Sequence, residues 1–115
     1  MQLPYASEPV RSSFDRWLQE TVERHLGELT FTEIRKGVQA LSALYVERRE
    51  EGGLATRAVE GRGKRAALAC YYAPLHFLTV HHALRMVGDE LPAPSRVVDL
   101  GCGTGAVGAA AALTL

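Results

Sequence analysis

The residues best equipped for chemistry lie near the end of the sequence, in Val97-Val98-Asp99-Leu100-Gly101-Cys102-Gly103-Thr104-Gly105. Arg96 to Leu100 is a short β-branched run and Ala106 to Leu115 is an alanine-rich helix former, so the order predicted is strand, glycine turn, helix. Such a turn makes an adenosine cofactor site for a physical reason. Glycines let the backbone approach a ligand, and the unpaired amides of the following helix present a positive dipole end. The spacing Gly101-x-Gly103-x-x-Ala106 satisfies the dinucleotide fingerprint literally. Asp99 argues against a dinucleotide: its carboxylate, two residues before the first glycine, would repel a pyrophosphate and favour an ammonium or sulfonium.

Other side chains compete for a role. Cys102 and Thr104 fill the turn, and Cys102 is assigned no nucleophilic part. Cys70 and Cys102 sit far apart in unlike contexts, which gives neither a disulfide framework nor a C-x-x-C metal signature and reads as a reducing compartment. His76, His81 and His82 share a helical run, but helical metal pairs prefer spacings of three or four. No metal is expected, and these histidines read as surface or cofactor-facing. Arg57, Arg62, Lys64 and Arg65 form the most basic stretch, either an RNA-phosphate patch or a solvated loop. Tyr71 and Tyr72 either touch substrate or adenine or pack with a hydroxyl reaching a partner. Trp17 reads as core.

The elements that must position these groups are mostly helical. From Ser7, the apolar positions Val10, Phe14, Trp17, Leu18, Val22 and Leu26 recur at spacings of three and four, predicting an amphipathic helix that stops at Gly27. Thr30 and Glu33 form a Thr-x-x-Glu capping box at the next helix, whose stripe is Phe31, Ile34, Val38, Leu41 and Tyr45. That helix ends in the charged segment Glu47 to Glu51 and the pair Gly52 and Gly53. Gly53 to Gly63 reads as a loop. From Arg65 to Val87 a run apolar on more than one face predicts a central helix, kinked or restarted at Pro74 and capped by Gly88. Asp89 to Pro94 is a connector.

The chain of 115 residues carries 13 basic and 13 acidic side chains, so bulk charge draws it to neither nucleic acid nor an anionic membrane. Its 47% hydrophobic content excludes disorder and allows one core, not two independent domains. No apolar run approaches the roughly 20 residues needed to cross a membrane, and no signal segment opens the chain. A cytoplasmic protein is expected.

The run from Val97 to Gly105 closely resembles the first motif of class I S-adenosylmethionine-dependent methyltransferases: apolar residues, an acid, then Gly-x-Gly-x-Gly. The resemblance implies S-adenosyl-L-methionine as cofactor. Asp99 would help hold its methionine end, with Gly101, Cys102, Gly103, Thr104 and Gly105 wrapping beneath it. Upstream, Arg65-Ala66-Ala67-Leu68-Ala69-Cys70-Tyr71-Tyr72-Ala73-Pro74-Leu75-His76-Phe77 resembles the ribosomal small-subunit methyltransferase-like family of bacteria and mitochondria. It departs from that family, which often has an arginine just before the proline and Pro-Gly where this chain has Thr104-Gly105.

Together these readings predict a mainly α N-terminal region, residues 1–90, followed over 91–115 by the first strand-loop-helix of a Rossmann-like α/β domain. The ribose-binding acid is expected about 20 residues beyond the turn, past Leu115. The chain is therefore expected to be the opening part of a longer methyltransferase, inactive alone, with the catalytic residues elsewhere. Its acceptor would be ribosomal RNA or the small ribosomal subunit, with Arg57, Arg62, Lys64 and Arg65 as RNA contacts and no DNA partner. The alternatives are a non-catalytic ribosome-associated helical module and a dinucleotide-dependent oxidoreductase.

Overall fold

The computed structural model describes residues 7–47, 57 and 60–115. Helix α1 spans Glu8–Leu26, α2 Phe31–Glu47, α3 Arg62–Ala67, α4 Ala73–Val87 and α5 Ala106–Thr114. A π-helical turn, Leu68–Tyr72, stands between α3 and α4, and a 3-10 turn, Gly88–Glu90, follows α4. The charged run expected over 48–51, the pair Gly52 and Gly53, and most of the expected loop after it lie outside the described residues. The chain forms two compact units: one takes in the chain up to Leu18 together with Ala73–Leu115, and the other is Gln19–Tyr72.

In the first unit, Val10 and Phe14 of α1 meet Ala73 and Phe77 of α4 and Ala106 and Ala110 of α5 in one buried cluster. The Phe14 and Phe77 rings lie 4.9 Å apart between centroids, and Trp17 packs on both, half-buried. Burying a phenylalanine side chain contributes about 1.5 to 3 kcal/mol, so this aromatic group is the main apolar anchor of the unit. The alanines of α5 put no bulk between its backbone and α4.

The fold class read from sequence is corrected in this unit. Arg96-Val97-Val98-Asp99-Leu100 is not a strand, and there is no strand among the described residues, so the Rossmann-like strand-loop-helix is not formed. The reason is physical: β-propensity expresses packing and pairing against neighbouring strands, and the described residues supply none. Val98 and Leu100 stay 70% and 90% exposed. The mainly α part of the reading agrees with the helices observed.

In the second unit the capping box forms as the sequence predicts. The Thr30 amide donates to Glu33 Oε2 at 2.7 Å, and the Glu33 amide donates to Thr30 Oγ1 at 3.2 Å. Those two bonds satisfy donors that a helix start leaves open. The Thr30 amide, and second the Thr30 hydroxyl, which donates to Glu33 Oε2 at 3.0 Å, hold the Glu33 carboxyl below its ordinary range. The core is Leu41, Leu44 and Ala67, with Val38, Tyr45, Leu68 and Tyr72 packed against it. Phe31, expected on the buried stripe, is instead 70% exposed. Tyr72 packs edge-on to Tyr45, and its hydroxyl lies 2.8 Å from Ser42 Oγ.

Helix α3 begins at Arg62, three positions before the sequence reading places it, and crosses α2 at a glycine pair. A β-carbon on Gly37 would lie 2.1 Å from the Gly63 carbonyl oxygen. Only a residue without a side chain allows the two backbones to approach this closely. At Pro74 the expected kink takes the form of the π turn just before it. Proline gives no amide to the carbonyl four residues back and its ring crowds that carbonyl, which a wider turn accommodates.

Candidate functional site

The glycine turn is built by its own backbone and by Asp99. Gly101, Gly103 and Gly105 all take left-handed conformations, with φ of +66°, +53° and +79°. The Gly105 amide donates to the Cys102 carbonyl at 2.8 Å and closes the turn. An alanine at any of the three would carry the left-handed penalty of roughly 1 to 2 kcal/mol. Apart from the adjoining residues, no described atom lies within 4 Å of the β-carbon position at any of them, so the turn presents open backbone.

Asp99 is half-buried, and its Oδ2 accepts the Gly108 amide at 2.9 Å. With Gly105 as N-cap, Gly108 is the third residue of α5, so the carboxylate occupies the place of a capping side chain and complements the helix dipole. Gly108 has a steric reason as well: a β-carbon there would lie 3.2 Å from Asp99 Oδ2 and 3.3 Å from its β-carbon. Sequence reasoning missed Gly108; its signal was a lone glycine inside an alanine run. Thr104 is exposed and its Oγ1 makes only a long contact, 3.4 Å, with the Ala106 amide. Cys102 is an exposed free thiol.

Beside the turn lies a cavity of about 290 Å³ lined by Ser13, Phe14, Trp17, Phe77, Thr104, Gly105, Ala106, Ala109 and Leu113. Its size sits at the lower end of small-molecule sites, and its walls are aromatic rings on one side and open backbone on the other. Phe14 and Phe77 carried no sequence signal beyond core periodicity. Their part in the cavity follows from the packing of α1, α4 and α5.

The remaining candidates fall elsewhere. Arg57, Arg62, Lys64 and Arg65 belong to the other unit. Lys64 Nζ donates to the Arg57 carbonyl at 2.8 Å, a structural use, while Arg62 and Arg65 are exposed. The open groove holding Arg62, Lys64 and Lys36 also holds Glu28, Glu33 and Glu60, so it does not present the one-signed field that phosphate binding exploits. Tyr71, Cys70 and Arg35 border an apolar cavity of about 320 Å³ lined also by Val22 and Leu26 at the end of α1 and by Phe31, Ile34 and Val38 in the first half of α2. Burial pushes the Cys70 thiol above its ordinary range.

Among the histidines, His76 and His82 are exposed, but His81 is 2% exposed, which corrects its reading as a surface histidine. No cluster of three metal-ligating side chains occurs among the described residues, and no helix there is long and apolar enough to cross a membrane. Comparison with protein-family models, with curated proteins and with solved structures finds no match.

Proposed function

We propose that the chain carries the cofactor turn of an S-adenosylmethionine-dependent methyltransferase, with Asp99 and Gly101 to Gly105 at the methionine end of the cofactor. The observation that carries this reading is the coupling of a fixed carboxylate to a turn of three left-handed glycines that leaves its backbone open. The motif resemblance supports the same choice of ligand. The residues fit the group. Asp99 Oδ2 is spent on Gly108, which leaves Oδ1 for an ammonium, and the aromatic cavity beside Gly105 suits a flat apolar ring.

When bound, S-adenosylmethionine supplies an electrophilic methyl group on a sulfonium. The chain's own residues bind and orient. Asp99 adds the negative charge that opposes the ligand's positive one, the turn allows close backbone approach, and Phe14, Trp17 and Phe77 exclude water from one side. Positioning of this kind is the principal catalytic lever in a methyl displacement. The acceptor proposed with this reading is ribosomal RNA of the small subunit, on the resemblance of residues 65–77.

The test is a competition between S-adenosylhomocysteine and NAD for the chain, followed through the backbone amides of the turn. Saturable binding of S-adenosylhomocysteine, undisturbed by NAD, is expected. Preference for NAD would replace the reading with a dinucleotide enzyme. Binding of neither, with salt-sensitive binding of ribosomal RNA retained, would replace it with a non-catalytic module.

A further inference from the structure

His81 is a titratable ring in the packed interior of the first unit, and its partners define its proton. Thr114 Oγ1 donates its single hydrogen to the Ala110 carbonyl at 2.6 Å, so the same oxygen accepts from His81 Nδ1 at 2.8 Å. The hydrogen-bond network thus assigns the neutral tautomer with the proton on Nδ1. Nε2 is then a bare lone pair, and it is buried with no hydrogen-bond partner among the described residues. The ring stacks on Phe77 at 15° between planes, and Phe77 belongs to the core cluster that seats α5 through Ala106 and Ala110.

We propose that His81 and Thr114 form a proton-sensitive latch that holds α5 on α4, and that protonation of His81 at Nε2 releases α5. The imidazolium would place a new N–H donor and a charge where no acceptor lies, which costs far more than the neutral ring does. Among the described residues, the groups that act on it through charge offer no compensation. On α4 the neighbours that act through charge are His82 and Arg85, both of which disfavour a second positive charge. No residue of α5 carries an ionisable side chain, and on α1 Arg11 is paired with Glu8 at 3.1 Å. Burial, then His82 and Arg85, hold the His81 pKa below its ordinary value.

The sign follows from linkage. Released α5 leaves His81 with an ordinary histidine pKa near roughly 6.5, above its value in the latched state. The released state therefore binds more protons, and release becomes easier as pH falls below that ordinary value, approaching tenfold per pH unit. Because α5 bears the amide that anchors Asp99, release would loosen the glycine turn and open the cavity beside Trp17. The latch itself does not depend on which ligand the turn binds.

Native-state hydrogen exchange of the full chain tests it, read on the amides of Ala109 to Ala112 and corrected for intrinsic exchange. As pH falls from about 7 through the ordinary histidine range their protection is expected to fall, by at most about tenfold per unit and levelling off below the latched-state pKa, while the α2 amides of Val38 to Leu41 hold theirs. His81→Gln should remove the pH dependence, and His82→Gln should keep it. If His81→Gln does not fold, His81→Phe keeps an aromatic ring on Phe77 without a titrating nitrogen. A pH-independent α5 in the wild type, or an unchanged slope in a folded His81 variant, overturns the proposal.

Discussion

Replacing Gly37 with alanine tests the packing of the second unit at its closest point. The new β-carbon would stand 2.1 Å from the Gly63 oxygen, 2.4 Å from its carbonyl carbon and 3.1 Å from the Lys64 nitrogen. All three are backbone atoms, so no rotamer change relieves the overlap. Reaching an ordinary carbon–oxygen contact requires α2 and α3 to part by about 1 Å, which also loosens Leu41 and Leu44 from Ala67. Overpacking of this kind costs up to about 3 kcal/mol. Alanine regains about 1 kcal/mol in helix propensity, leaving a net loss of roughly 2 kcal/mol.

Gly63→Ala is the control, because its β-carbon meets Glu33 O at 3.4 Å and the Gly37 α-carbon at 3.8 Å, ordinary contacts. It should be neutral or stabilising by up to about 1 kcal/mol. Urea unfolding followed by helical circular dichroism measures both variants. Gly37→Ala should also lower the melting temperature by roughly 10 °C. Equal stability of Gly37→Ala and wild type, or a loss in Gly63→Ala as large as in Gly37→Ala, would refute the close crossing.

The capping box predicts a visible titration: in a carbon-13 NMR pH series, Thr30→Ala should move the Glu33 carboxyl only part of the way back toward its ordinary range, because the hydroxyl donor is lost while the backbone amide, the larger cause, stays. Because the folded-state pKa is lowered, the contribution to stability is present above the ordinary glutamate value and is lost as pH falls through the folded one. An unchanged Glu33 titration in Thr30→Ala would remove the Thr30 hydroxyl as a cause. With iodoacetamide near neutral pH, the exposed Cys102 should react before Cys70, whose thiol is disfavoured as thiolate by burial. Mass mapping of the first adduct decides this, and an adduct on Cys70 first would contradict it.

The parts legible in the sequence were those set by local chemistry. The spacing of Val10, Phe14 and Trp17, the stop at Gly27 and the Thr30–Glu33 box each act within one or two turns, and each appears where its pattern puts it. The glycine turn was legible for the same reason, since left-handed φ is a property of single residues. What failed depended on partners. Arg96 to Leu100 has strand composition, but a strand exists only through a neighbour's hydrogen bonds. Phe31 fits the helical period but falls at the first residue of α2 and remains exposed. The approach of Gly37 to Gly63 and the burial of His81 against Thr114 join residues 26 and 33 positions apart. No periodicity along one element encodes such pairs.

The functional account turns on whether Asp99 serves a ligand's positive charge as well as the start of α5. Asp99→Asn separates these two uses, because an amide oxygen can still accept from Gly108 while the negative charge is gone. The decisive measurement is calorimetric titration of S-adenosylhomocysteine into the wild type and Asp99→Asn, with thermal melting alongside. Binding by the wild type, a weakening of about tenfold or more in Asp99→Asn, and similar melting of the two proteins are expected. Binding left intact by Asp99→Asn, or no binding by the folded wild type, would contradict the double use of Asp99.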